Sequence, residues 1–254
     1  LNISELYRNY LNIRVVVFNE NTIFAIFNKT KMSNTQIDST PEVASSLGKT
    51  GSFIQENRKS LLIIGGAVVG LILLFFAYQK FYLAPRETDA LNQIYKAQQY
   101  WEQKDWDKAI KGDGNFPGFE KIIEEYDNTK SANLAYYYLG IAYLNKGEFQ
   151  KAADNLTNYS GSDEVIAPLA LGGAGDAFVE LKQYDKAITY YNKAISKGNN
   201  QFAAPIYLKK LGLVYEEQKD FKSALETYNK IKNDFPESTV AFNIDMYIAR
   251  VEGK

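Results

Sequence analysis

Chemistry in this chain would have to come from two pairs of adjacent carboxylates, Glu124/Glu125 and Glu216/Glu217, or from a glycine-rich loop at residues 112–118. Two carboxylates can act as acid and base when both reach one substrate. Neighbours on a helix point about 100° apart, so neither pair shares a site. Solvated helix faces account for them. The loop, Gly112-Asp113-Gly114-Asn115-Phe116-Pro117-Gly118, has the materials of a phosphate or calcium site. It lacks the Lys-Ser/Thr ending of a phosphate loop and offers one carboxylate, so neither ligand is expected. The chain has no His and no Cys. That removes the commonest general base, the commonest zinc ligand, every thiolate nucleophile and every disulfide. No catalytic residue, metal or cofactor is expected, and the chain does not read as an enzyme.

The 29 basic and 30 acidic side chains leave a net charge of -1. No excess of either sign drives the chain onto nucleic acid. Partners should therefore be proteins.

Four regions organise the 254 residues. Residues 1–31 carry two short apolar runs around Asn19-Glu20-Asn21, a candidate hairpin turn. Met32 opens a compositionally different segment and reads as an alternative start, which makes 1–31 a doubtful extension. Residues 32–59 are rich in Ser, Thr, Asn, Gln and Gly, cannot offset their ordering entropy by burial, and read as a flexible tail.

Residues 60–79 carry no charge, and twelve of the eighteen residues 61–78 are Leu, Ile, Val or Phe. About 20 such residues cross a bilayer core as a helix. Tyr78, Phe81 and Tyr82 suit an interfacial belt. A cleaved signal would have an apolar core of about 7–15 residues followed by small residues. Here bulky Tyr78-Gln79-Lys80-Phe81 follows a longer core, so a retained anchor is expected. Lys49, Arg58 and Lys59 precede it; Lys80 and Arg86 follow. That bias puts the N-terminus in the cytoplasm. Gly66 and Gly70 stand in a GxxxG spacing that can bring two membrane helices together.

The remainder, residues 86–254, repeats. Trp106-Asp-Lys-Ala109-Ile, Phe149-Gln-Lys-Ala152-Ala, Tyr184-Asp-Lys-Ala187-Ile and Phe221-Lys-Ser-Ala224-Leu share one scheme: aromatic, two polar residues, Ala, apolar. Twelve residues before the last three alanines stand Gly140, Gly175 and Gly212; three beyond each Gly come Tyr143, Phe178 and Tyr215. Four residues beyond each Ala come Leu156, Tyr191 and Tyr228. The alanines are 43, 35 and 37 residues apart, and Ala97 takes the glycine's place in the first unit. Small residues at these two positions let the two helices of a hairpin close up, and the aromatics fill the layers between hairpins. Pro168 and Pro205 fall in a helix's first turn, where a missing N–H is tolerated; Pro236 ends a repeat. The loop at 112–118 interrupts the first unit's second helix and should be exposed. Val240, Ile244, Tyr247, Ile248 and Val251 form one face of a last helix over 238–251, the natural cap of a stacked array.

The pattern resembles the tetratricopeptide repeat (TPR) family, whose units of about 34 residues are antiparallel helix pairs. The expected architecture is all-α: one transmembrane helix, then a TPR α-solenoid of four hairpins and a C-terminal cap. A short tail, one span and a TPR domain beyond it also resemble YfgM-type proteins, ancillary subunits of the SecYEG translocon linked to periplasmic chaperones. Residues 119–126 and 132–140 are similar to membrane TPR proteins of the Bacteroidetes group. The resemblance implies a bacterial inner-membrane protein with a periplasmic TPR domain. It also implies a concave groove lined by Leu91, Ile94, Gln98 and Trp101; Leu134, Tyr137, Ile141 and Leu144; Leu169, Gly172, Asp176 and Val179; Ile206, Lys209, Leu213 and Glu216. Only Lys209 is placed to clamp a carboxylate, so an amphipathic or non-native apolar segment suits the groove better. Trp101 and Tyr137 are the expected anchors. A scaffold or assembly factor of an envelope machine is the alternative.

Overall fold

The computed structural model describes the backbone of residues 41–254 and the side chains of residues 57–254. The doubtful extension at 1–31 and the start at Met32 lie outside the described residues. Residues up to Ala67 and residues from Val68 onward form two separate compact units.

Helix α1 (Pro41–Ala77) holds the uncharged stretch. Asn57 begins the one helical stretch, among the described residues, that is long and apolar enough to cross a membrane, and none of its apolar window is buried. The tail expected to be flexible over 32–59 is helical from Pro41. Its composition still lacks a face to bury. Lengthening an existing helix needs no new nucleus, so the apolar segment can propagate helix into it.

In the second unit the rod passes through a π-helical turn (Tyr78–Leu83), in which the rings of Tyr78 and Tyr82 stack 5.2 Å apart. It runs directly on as α2 (Ala84–Glu102). Then follow α3 (Trp106–Lys111), α4 (Phe119–Glu125), α5 (Lys130–Asn145), α6 (Phe149–Asn158), α7 (Ile166–Glu180), α8 (Tyr184–Lys197), α9 (Ala203–Glu217), α10 (Phe221–Asp234), a 3-10 turn (Ala241–Asn243) and α11 (Ile244–Val251). The described residues form no strand, only an isolated bridge between Gly112 and Pro117. Helices α2, α5, α7 and α9 are the first helices of four hairpins; α3 with α4, α6, α8 and α10 are the second. The expected solenoid of four hairpins and a cap is therefore present.

The spaced small residues do what their spacing implies. Ala97, Ala109, Ala152, Ala187 and Ala224 are fully buried. A Cβ on Gly140 would stand 2.4 Å from Leu156, one on Gly175 2.5 Å from the ring of Tyr191, and one on Gly212 2.3 Å from Tyr228. Each glycine thus meets the large residue four positions past the alanine of its own hairpin. Tyr143 and Phe178 are buried and Tyr215 is half-buried.

The turns inside the hairpins share one device that the sequence hides. Lys104, Gly147, Lys182 and Lys219, each five residues before the signature alanine, take positive φ. The next residue's N–H then bonds back to the carbonyls of Tyr100, Tyr143, Phe178 and Tyr215 at 2.8–2.9 Å, a Schellman closure of the first helix. Three of the four are lysines, in a conformation that favours glycine.

Two further expectations need correction. The cap begins at Ile244, because residues 238–243 turn first: the Ser238 hydroxyl donates to the Phe235 carbonyl at 2.8 Å and accepts the Ala241 N–H at 3.2 Å. Ile244, Ile248 and Val251 still bury the predicted face. The loop at 112–118 is exposed at Gly114, Asn115 and Phe116 but buried at Gly118. Asp113 accepts the N–H groups of Asn115 and Phe116 and the Tyr100 hydroxyl, at 2.9, 2.8 and 2.6 Å. The Tyr100 hydrogen bond, with help from those backbone bonds, holds the Asp113 carboxyl below its usual range. A Cβ on Gly118 would stand 2.2 Å from the Ile110 carbonyl, whereas one on Gly114 would meet nothing. Gly118→Ala is therefore expected to cost about 2–3 kcal/mol through forced backbone shifts. Gly114→Ala should cost about 1 kcal/mol, from its positive φ alone. Chemical denaturation of both variants checks the difference.

Candidate functional site: the groove of first helices

The groove residues expected from the repeat register lie on α2, α5, α7 and α9, and the structure divides them into three groups. Leu91, Leu169, Ile206 and Leu213 are exposed apolar side chains. Leu134, Tyr137, Ile141, Leu144 and Val179 are half-buried against the core. Of the rest, all but Gln98 are engaged inside the protein.

Ile94 is 1% exposed and belongs to the core, not to a binding surface. It sits three residues before Ala97 in the face that packs the hairpin together. Trp101 is wedged edge-on against Trp106 and Tyr138, with centroids 6.0 and 5.2 Å away. Its role is packing between hairpins, which corrects its expected place as an anchor. Gln98 is half-buried. Tyr137 packs its ring against Tyr138 and Tyr159, and burial raises its hydroxyl pKa. Gly172 lies directly beneath Tyr207, where a Cβ would overlap the ring. Lys209 places its ammonium 4.7 Å from the ring centroid of Tyr247, so the one candidate carboxylate clamp is spent on the cap.

The two acids are also committed. Asp176 accepts from the Tyr191 hydroxyl at 2.7 Å and from the Lys210 ammonium at 2.7 and 2.6 Å. Glu216 accepts from the Tyr228 hydroxyl and from Arg250, each at 2.5 Å. Both are three-part clasps joining a first helix, the second helix of the same hairpin and the element stacked next to them, α9 for Asp176 and the cap α11 for Glu216. Burial first, then the adjacent acid, pushes the Tyr191 and Tyr228 hydroxyls upward, so both stay protonated donors. Partly exposed ion pairs contribute about 0–1 kcal/mol each, so the clasps serve mainly to set the register between hairpins. Lys210 and Arg250 were not foreseen. Their signal is the spacing: each follows its acid by 34 residues.

A third cluster ties the first helix into the array. The Glu87 carboxylate accepts from the N–H groups of Lys130 and Ser131 and from the Ser131 hydroxyl at the start of α5. Arg86 donates to the Glu125 carbonyl, pairs with Asp127 at 3.5 Å and lies over the rings of Tyr82 and Tyr126. No group of His, Cys, Asp or Glu among the described residues could hold a metal ion. With the acids neutralised internally, what the groove offers outward is apolar area.

Residues 139–204 and 173–238 match the family model of the tetratricopeptide repeat. The hairpins of residues 139–238 are tetratricopeptide repeats. The first hairpin lies outside that stretch, and its second helix is split into α3 and α4 by the 112–118 loop. The chain is similar in fold to a Podosopora anserina putative kinesin light chain with nearly identical TPR-like repeats, at TM-score 0.50 and 13% identity over 66% of this chain and 86% of that one. It is also similar to a tetratricopeptide repeat protein from Parabacteroides merdae ATCC 43184, at TM-score 0.53 and 16% identity over 65% of this chain and 61% of that one. Identities this low speak for fold alone. No curated protein matches the sequence. TPR arrays are protein-interaction modules, and nothing in this groove departs from that class.

Proposed function

We propose that this chain is a membrane-anchored TPR module that holds an amphipathic or non-native apolar segment of a partner protein in the groove of its first helices. The observation that carries the reading is the row Leu169, Ile206 and Leu213, exposed on α7 and α9 where the neighbouring acids are already paired. An amphipathic helix in such a groove is held by buried apolar area. Binding of this kind responds little to salt, since screening acts on exposed charge.

The uncharged stretch at 60–79 supports one membrane span, and the flanking charges support a cytoplasmic N-terminus. The TPR array then stands on the outer side of a bacterial inner membrane, in the periplasm. The layout supports an ancillary role beside the SecYEG translocon and periplasmic chaperones, whose clients expose apolar segments. Protease added to spheroplasts is expected to digest the chain beyond Pro85 and to spare the segment before Arg58. Protection of the array would reverse the orientation and place its partners in the cytoplasm.

A further inference from the structure

Three exposed apolar side chains stand at equivalent places just ahead of α7, α9 and the cap helix α11. Val165 and Phe202 lie ten residues before Gly175 and Gly212. The cap helix keeps the same register, because Arg250 answers Lys210 in the clasps; that register makes Phe242 the third member, 37 and 40 residues separating the three. Their exposures are 68%, 84% and 84%. Two of them are held out by the same turn: Asp163 Oδ1 accepts the N–H groups of Val165 and Ile166, and Asn200 Oδ1 those of Phe202 and Ala203. The same turn thus precedes α7 and α9 and each time leaves a large apolar residue exposed, whereas the equivalent position of α5, ten before Gly140, is Lys130.

The equivalent residue of α2, ten before Ala97, is Glu87, four residues past the π-helical turn that continues the apolar helix. Contacts carry that edge through the array. Glu87 touches the start of α5. Asn133, near the same start, accepts from Ser160 in the connection to α7. Gly198, in the connection to α9, lies against Pro168 in the first turn of α7. The starts of the first helices therefore form one continuous edge, and that edge begins where the chain leaves the apolar helix beside exposed Phe81 and Tyr82.

We infer that this edge rests on the lipid surface, with Val165, Phe202 and Phe242 dipping into the bilayer interface beside the anchor. The inference depends on the apolar helix crossing a membrane, as proposed above. The three side chains are single tips on separate helices, set apart by whole hairpins. That suits a fluid planar surface better than a compact protein patch. Asp163 and Glu164 flank Val165, so attachment is apolar and needs no anionic lipid, unlike a polybasic surface.

The absence of Cys makes the test clean. The full chain, carrying a single cysteine in place of Val165, Phe202 or Phe242, is labelled with an environment-sensitive fluorophore. It is then reconstituted in phosphatidylcholine vesicles containing lipids with a quencher near the headgroup or in the acyl chain. Lys182→Cys and Lys219→Cys report the opposite edge, and Leu71→Cys reports the span. Labels at 202 and 242 are expected to be quenched several-fold more than labels at 182 and 219, unchanged when anionic lipid is added. Equal quenching at both edges with Leu71 strongly quenched overturns the docking and leaves the anchor standing. A label at Leu71 that lipid quenchers do not reach overturns the span and the docking with it. Crosslinking of position 202 to a protein in cells, with no quenching in vesicles, would assign the edge to a protein partner and also overturn the inference.

Discussion

Gly175→Leu is expected to lower the unfolding free energy by about 3 kcal/mol, at the upper end for overpacking a core. The first added carbon would already stand 2.5 Å from the Tyr191 ring. That ring has little room to retreat, since it stacks on Tyr207 with centroids 6.3 Å apart and its hydroxyl is held by Asp176. Relief must come from parting α7 and α8, which also strains the clasp to Lys210. Thr189→Leu, on the exposed face of α8, should change stability by no more than about 0.5 kcal/mol. Urea unfolding of the full chain in detergent micelles, followed by helicity, measures both. Equal midpoints for Gly175→Leu and the unsubstituted chain would contradict the register of the hairpins.

The same glycine shows why so much of the array was legible beforehand. Gly140, Gly175 and Gly212 recur with their alanines and aromatics because close helix contact leaves no room for anything larger, and steric exclusion writes itself into residue type. Polar recognition does not. Lys104, Lys182 and Lys219 occupy a left-handed turn position with no glycine to mark it. Glu87 finds Ser131 across 44 residues, and no local pattern foretells the pairing. The expected groove was partly wrong for a related reason. Repeat position tells which side of a helix a residue occupies, but not whether a neighbour has already covered it. Trp101 and Ile94 fall at groove positions yet serve packing, and Asp176, Lys209 and Glu216 are engaged by groups two helices further along the chain. The cap's late start was hidden because Val240 continues the apolar period of a helix that begins only at Ile244.

The binding role proposed for the groove lies in the exposed apolar row on α7 and α9. Large desolvated side chains near the centre of an interface contribute about 2 kcal/mol or more each. Replacing Ile206 and Leu213 together by aspartate puts charge where apolar contact is needed. Both side chains are exposed, so the helices should survive, and circular dichroism checks that they do. A photo-crosslinking residue at Leu169, between the two sites and the rest of the groove, then reads occupancy in intact cells. The Ile206→Asp/Leu213→Asp chain is expected to lose its crosslinked partner by at least about tenfold, the equivalent of about 1.4 kcal/mol. Raising salt should change the yield of the unsubstituted chain little. An unchanged crosslinking yield from the doubly substituted, fully helical chain would contradict a binding role for the groove.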